Sequence, residues 1–436
     1  MADVIAIRGG TVVDSTGTRV ADVVVEDGFV KAVGEGVALD IPFTATVLDA
    51  SGCLVAPGLV DLHTHLREPG KEEAETIESG SRAGALGGYT ALVAMPNTDP
   101  TTDSAAVVRH VVEAGRKAGL CRVAPAAAIT IGRAGTRLAP FAELAAIGVH
   151  IFTDDGAGVQ DARLMRRALE YASVLDVTLA QHCEDESLSQ GGHMHEGEWS
   201  SRLGIPGIPA EAEELMVMRD IALCRLTGAR IHFLHLSTAG SVAMVRAAKA
   251  AGLPITAEAT PHHLVLTHAQ VASFDPAFKV NPPLRTAEDV AAVREGVIDG
   301  TCDAIATDHA PHPLEEKQRP FDHAPCGMLG LETALALVWT ELVHPGLLSA
   351  EAALARMSWQ PARIAGLDRE GQGGPILPGA AAHLCVIDPE ATWVVDPNRL
   401  ASRSTNTPYA GRTLRGRARH TIFGGTVTVQ DGEAIL

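Results

Sequence analysis

The sequence predicts a (β/α)8 barrel of the TIM type, with a small β-sandwich domain formed from both termini. Three observations carry this. The middle of the chain alternates apolar strand-like runs with helical stretches, both ends carry short alternating strands, and six potential metal ligands fall where the middle runs end. The apolar runs lie at about 54–62, 89–95, 122–129, 148–153, 177–182, 230–236, 254–259 and 302–307. They are continuous rather than alternating, which indicates burial on both faces, as in a parallel sheet. Ala-, Glu- and Arg-rich stretches separate most of them, including Gly158 to Ser173, Ala210 to Thr227, Thr238 to Ala251 and Thr286 to Asp299. Eight such units fit a barrel. An open doubly wound sheet is the alternative, but the first unit lacks its glycine-rich nucleotide fingerprint.

The ends read differently. Thr11 to Asp14, Val23 to Gly28 and Phe29 to Gly34 alternate with period two, and Asp27-Gly28 between runs is a hairpin signal. The texture returns in Ala382 to Asp388 and Thr421 to Val429. Residues 1–55 plus 366–436 are therefore expected to form one composite β-sandwich domain, and 56–365 the barrel.

The apolar run that opens the barrel ends in Asp61-Leu62-His63-Thr64-His65. Residues two apart on a strand point the same way, so the two imidazoles of His63 and His65 can reach one ion. Asp155, His182, His235 and Asp308 each follow a later apolar run. Nitrogen and oxygen donors of this kind suit zinc or a similar divalent metal with a position left open for water. A lone histidine is usually a satisfied polar group, but His-x-His at one strand end with further His and Asp at others is a ligand pattern. His235 is preferred to His232 because it lies nearer the strand end and the two cannot share a strand face.

A two-metal barrel hydrolase needs an anion to hold its cations close together. A carboxylated lysine is one solution, but no lysine occurs between Lys117 and Lys249, so an aspartate must serve. Asp155 is preferred, with Asp154 as the alternative. Asp308, in Thr307-Asp308-His309-Ala310-Pro311-His312, could both touch a metal and handle protons.

The formal charge of −18 over 436 residues offers no basic surface for nucleic acid. Seven scattered cysteines without a CxxC pair fit reduced thiols in the cytoplasm. Neither a signal peptide nor a membrane-spanning stretch is expected.

With these residues in place, the chain resembles the dihydroorotases of the amidohydrolase superfamily, in the bacterial class I type whose bridging ligand is aspartate. The likeness spans nearly the whole length. It rests on Asp61 to Gly70, Met95-Pro96-Asn97-Thr98, Phe152 to Gly156, His182 to Asp185, Glu258 to His263, Lys279 to Arg285 and Thr307 to His312. Its most specific part is Leu66-Arg67-Glu68-Pro69-Gly70, since His-x-His alone marks only the superfamily. The resemblance implies reversible cyclisation of N-carbamoyl-L-aspartate to (S)-dihydroorotate, the third step of de novo pyrimidine synthesis, by a zinc-bound hydroxide.

It further implies two zinc ions per subunit, one held by His63 and His65, the other by His182 and His235, with Asp155 bridging. Asp308 would complete the first site and act as acid and base. His65, Arg67, Asn97, Asn281, Asp308, His312 and the Cys326-Gly327 backbone would hold substrate. The family pattern has an aromatic residue in place of Cys326, so only a main-chain contact carries over there. Arg67 offers a planar fork suited to a substrate carboxylate, and Asn97 an added amide donor.

The stretch from Pro311 to Pro325 reads as a lid over the barrel mouth, with a solvated loop as the alternative. A homo-oligomer is expected, and a complex with aspartate carbamoyltransferase is a further expectation. Competing readings are a hydantoinase or allantoinase, which the missing lysine disfavours, and a non-catalytic scaffold, which six intact ligands disfavour.

Overall fold

In the computed structural model, which describes residues 4–435, eight short parallel strands form the barrel. They are Leu59–Thr64, Tyr89–Ala94, Arg122–Pro125, Ile151–Phe152, Thr178–Gln181, Ile231–Phe233, Ile255–Ala259 and Ala304–Ile305. The first three pair in order and the last five pair in order. Parallel bridges from Ala127 to Phe152 and from Thr64 to His309 close the two remaining seams. Several strands are shorter than the apolar runs that announced them, because the ends of those runs leave the ladder to build the loops at the barrel mouth. Val60, Leu62, Ala91, Val93, Ala180, Leu234, Ala304 and Ala306 pack together as one buried cluster. This mix of branched and small side chains fills a narrow barrel.

The expected helices appear at Ala162–Ala172, Glu211–Thr227, Ala239–Ala250 and Ala287–Asp299. Asp161, Thr238 and Thr286 cap three of them by accepting backbone N–H groups from the first turn. Gly228 and Gly300 end two of them in left-handed conformations.

Both termini supply two further sheets. One has the strand order Phe29–Gly34, Asp22–Glu26, Val4–Arg8, Thr46–Asp49. The other runs Glu433–Ala434, Thr426–Gln430, Thr413–Phe423, Leu384–Val394, Leu54–Pro57, Thr11–Asp14, Gly17–Val20. Ile5, Ile7, Val23 and Leu48 from the first meet Val12, Val55, Leu384 and Ile422 from the second in a common apolar core. That is a β-sandwich drawn from both ends of the chain. The Asp27-Gly28 turn has positive φ at both residues, 49° and 86°, as a type I′ hairpin requires.

The apolar run at 54–62 divides. Leu54–Pro57 pairs with Leu384 to Ile387 in the sandwich, and Leu59–Thr64 begins the barrel. Gly58 lies at the crossing, where a Cβ would come within 2.1 Å of Thr90 Oγ1. Hydrophobicity does not distinguish the two halves because both are buried, one in each core.

Candidate active site

The barrel brings all six proposed ligands to the C-terminal mouth of its strands, and each is nearly or fully buried. The first and eighth strands are tied by Asp61, whose Oδ1 accepts the backbone N–H of His63 and of Thr307, both at 3.0 Å. The N–H of His65 reaches the His309 carbonyl at 2.8 Å. These bonds set His63 and His65 beside Asp308. Arg67, His235 and Asp308 all adopt positive φ, at 62°, 30° and 47°. Such strain in non-glycine residues concentrates at functional sites.

Asp155 occupies the centre. Its Oδ1 lies 3.4 Å from His63 Nε2, 3.5 Å from His182 Nδ1 and 3.7 Å from His235 Nε2, while Oδ2 lies 3.5 Å from His65 Nε2. Burial works to raise the Asp155 pKa, but the imidazoles of His63, His182 and His235 overcome it and hold the carboxyl well below its usual range. Asp154 points elsewhere and accepts from Thr130 N at 3.0 Å and from the Thr130 hydroxyl. Asp308 Oδ1 is 2.9 Å from His65 Nε2 and 3.5 Å from His63 Nε2.

The tautomers favour a metal. His63 Nδ1 faces Glu258 Oε1 at 2.8 Å, His65 Nδ1 faces Asn97 Oδ1 at 2.9 Å, and His182 Nε2 faces Glu184 Oε2 at 3.2 Å. Each oxygen can only accept, so each named nitrogen donates and the other ring nitrogen turns its lone pair inward. His63 Nε2 is buried with no hydrogen-bond partner, and His182 Nδ1 and His235 Nε2 converge to 2.9 Å. Converging lone pairs next to carboxylates are what a bound cation satisfies. Two sets, His63 with His65 and Asp155, and Asp155 with His182 and His235, each bring their ligand atoms within 4.8 Å of one another.

All eight proposed substrate residues line one cleft of about 210 Å³ beside these ligands: His65, Arg67, Asn97, Asn281, Asp308, His312, Cys326 and Gly327. Arg67 Nε donates to the Pro311 carbonyl at 3.1 Å. Asn281 Nδ2 donates to Glu184 Oε2 at 2.5 Å, and its buried Oδ1 has no partner. A larger cavity of about 610 Å³, where the Thr413–Phe423 strand meets the barrel, contains none of these residues.

Glu184 and Glu258 lie in the motifs that carry the family likeness, but the sequence assigns neither a role. Glu258 had a signal, a carboxylate inside the buried strand Ile255–Ala259, and it also binds His232 Nε2 at 3.0 Å. His232 is thus a partner of that carboxylate, with its Nδ1 2.8 Å from Thr256 Oγ1. His263 bridges Thr260 Oγ1 and the Pro282 carbonyl, at 2.8 and 3.1 Å.

The solved L-hydantoinase (dihydropyrimidinase) of Arthrobacter aurescens superposes with a TM-score of 0.87 at 25% identity, covering 100% of this chain and 98% of its own. A dihydropyrimidinase from Brevibacillus agri superposes with a TM-score of 0.85 at 22% identity, covering 99% of this chain and 96% of its own. Barrel, terminal sandwich and a buried His/Asp centre together define a metal-dependent enzyme of the amidohydrolase class.

A family model described as Dihydro-orotase-like matches residues 52–241. The dihydroorotase of Pelotomaculum thermopropionicum is 51% identical over 427 residues, 98% of each chain, and that of Streptomyces coelicolor 47% identical over 429 residues, again 98% of each. The chain belongs to the dihydroorotase family.

Proposed function

We propose that this chain is a dihydroorotase that reversibly cyclises N-carbamoyl-L-aspartate to (S)-dihydroorotate in de novo pyrimidine biosynthesis, with two zinc ions at the His/Asp centre. The observation that carries the proposal is the convergence of four imidazoles on Asp155 beside a cleft that holds Arg67. His63, His65 and Asp308 would hold one ion, His182 and His235 the other, with Asp155 shared between them. When bound, the metal supplies Lewis acidity toward water and toward the amide carbonyl.

The remaining work falls to the protein. Arg67 receives the substrate carboxylate, since its Nε is committed to Pro311 and its terminal fork remains for a planar anion. Asn97 is oriented by His65 and keeps its amide N–H groups for substrate. Asn281 offers its unpartnered Oδ1 to a substrate N–H. At Gly327 a Cβ would sit 2.7 Å from Ala310 Cβ and 3.0 Å from His312 Nε2, so glycine lets this backbone pack against the Ala310 to His312 side of the cleft.

Burial works to raise the Asp308 pKa, but the adjoining His63 and His65 draw its carboxyl well below the ordinary range. It takes a proton from the attacking water and returns it to the departing ring nitrogen. In the synthetic direction it takes the proton of the attacking ureido nitrogen and passes it to the carboxyl oxygen, which leaves as water when its C–O bond breaks.

The chemistry is assigned to the barrel expected over 56–365 and the supporting role to the sandwich expected over 1–55 with 366–436, with the boundary moved past Pro57 because Ala56 and Pro57 pair in the sandwich sheet. Seven unpaired cysteines suit a reducing compartment, and the reading places the enzyme in the cytoplasm as a homo-oligomer that can dock aspartate carbamoyltransferase. No helix among the described residues is long and apolar enough to cross a membrane.

The test is turnover of (S)-dihydroorotate, hydantoin and allantoin by the purified protein, with metal content measured alongside. Preference for dihydroorotate, lost on chelation and restored by zinc, is the expected result. Preference for hydantoin would reject the assignment.

A further inference from the structure

The segment from His312 to Gly327 leaves the eighth strand and returns to it. Its ends meet where His309 and Met328 form a parallel bridge and the Ala310 N–H reaches the Met328 carbonyl at 2.9 Å. Within it, Lys317 closes the short helix Leu314–Lys317 and turns inward. Its side chain is buried, the residue being 7% exposed. Among the described residues no carboxylate forms an ion pair with it.

Its three ammonium donors instead meet three backbone carbonyls: Gly327 at 2.9 Å, Pro325 at 3.0 Å and Lys279 at 3.5 Å. An ammonium has three donors and no acceptor, so this cage uses its full capacity. A buried charge held only by peptide dipoles is unfavourable unless every donor is matched, so the cage must keep its shape.

The carbonyls it gathers bracket Cys326 and Gly327, which line the cleft. Lys279 adds a second tie, its carbonyl accepting the Gly327 N–H at 2.9 Å. His312 Nε2 donates to the Cys326 carbonyl at 2.8 Å, so it cannot also accept from the neighbouring Arg67 Nη2, 3.2 Å away. Asn406 stitches the loop from outside, its Nδ2 reaching the carbonyls of Ala310 at 3.0 Å and Gly327 at 3.1 Å. Lys317 is the loop's own internal pin.

We propose that Lys317 is a positioning residue that holds the Cys326-Gly327 backbone and His312 in the geometry that receives substrate, acting through the carbonyls of Pro325 and Gly327. The proposal rests on the dihydroorotase reading of the cleft. Contacts of this kind form on binding and persist through the reaction, so their loss affects affinity more than turnover.

The experiment compares the zinc-loaded wild-type protein with Lys317→Met and the milder Lys317→Gln, which keeps two donors. For Lys317→Met, KM for dihydroorotate rises about tenfold while kcat stays within about threefold. Metal content is unchanged, and amide hydrogen exchange across residues 312–327 speeds up. Lys317→Gln falls between the two and answers the question if the methionine variant does not fold. An unchanged KM, unchanged exchange in that segment, or a loss of bound metal would each overturn the proposal. A wild-type protein inert toward dihydroorotate would sink the functional reading instead, and the exchange measurement would still judge the pin.

Discussion

Glu258, on the seventh strand, joins histidines of the first and sixth strands, with Oε1 2.8 Å from His63 Nδ1 and Oε2 3.0 Å from His232 Nε2. The same Oε1 lies 3.3 Å from the His235 backbone nitrogen, so one buried carboxylate orients parts of both proposed metal sites. In Glu258→Gln, one of the two histidines would face an amide N–H instead of an acceptor. Metal affinity should fall about 10- to 100-fold, the range seen when such supporting partners are removed. Competition with a chromophoric chelator measures this, and undiminished affinity would remove Glu258 from the role.

Asp308→Asn separates ligation from proton transfer. The amide keeps an oxygen donor but cannot cycle a proton. Turnover should drop about 10²- to 10⁴-fold with metal content intact. Near-normal turnover in that variant would assign the proton to another group.

Arg67→Met removes the planar cation from the cleft without touching the imidazoles. KM should rise about 10- to 100-fold, the equivalent of one charge-assisted hydrogen-bonded pair. Zinc content should be unaltered. Loss of zinc would mean that Arg67 holds up the metal centre rather than the substrate.

Glu332, in the larger cavity away from the metal centre, makes stability depend on pH. Burial pushes its carboxyl from the ordinary 4.5 up to about 7, although it accepts the Ala401 N–H at 2.7 Å. Between those values the folded chain binds more protons than the unfolded one. Its contribution is therefore full below pH 4.5 and is lost as pH rises through about 7. Glu332→Gln keeps an oxygen for Ala401 and has no charge to bury. The variant should be more stable than wild type at pH 8 by about 3 kcal/mol, and this advantage should vanish below pH 4.5. Urea melts at the two pH values decide it.

The barrel was legible because its apolar runs recur with helices between them, and because His63, His65, His182, His235 and Asp308 stand where those runs stop. Arg67, Asn97, Asn281 and His312 carry no periodic signal of their own and were visible only through family likeness. The roles of Glu184 and Lys317 were hidden for a different reason. Each acts through contacts that only the folded chain makes, Glu184 through Asn281 Nδ2 and Lys317 through the carbonyls of Lys279, Pro325 and Gly327. The run at 54–62 was read as one strand because two buried strands in series have one hydrophobic signature.

By itself, then, the order of residues determined which elements form and which donor types arrive at the barrel mouth, since both follow from local periodicity and from strand ends. Only the tertiary structure decided that Asp155 rather than Asp154 faces the four imidazoles, which ring nitrogen each histidine turns inward, and which backbone atoms cage Lys317. Most of those choices depend on partners distant in sequence, such as Glu258 for His63 and Lys279 for Lys317, and such partners become neighbours only when the barrel closes.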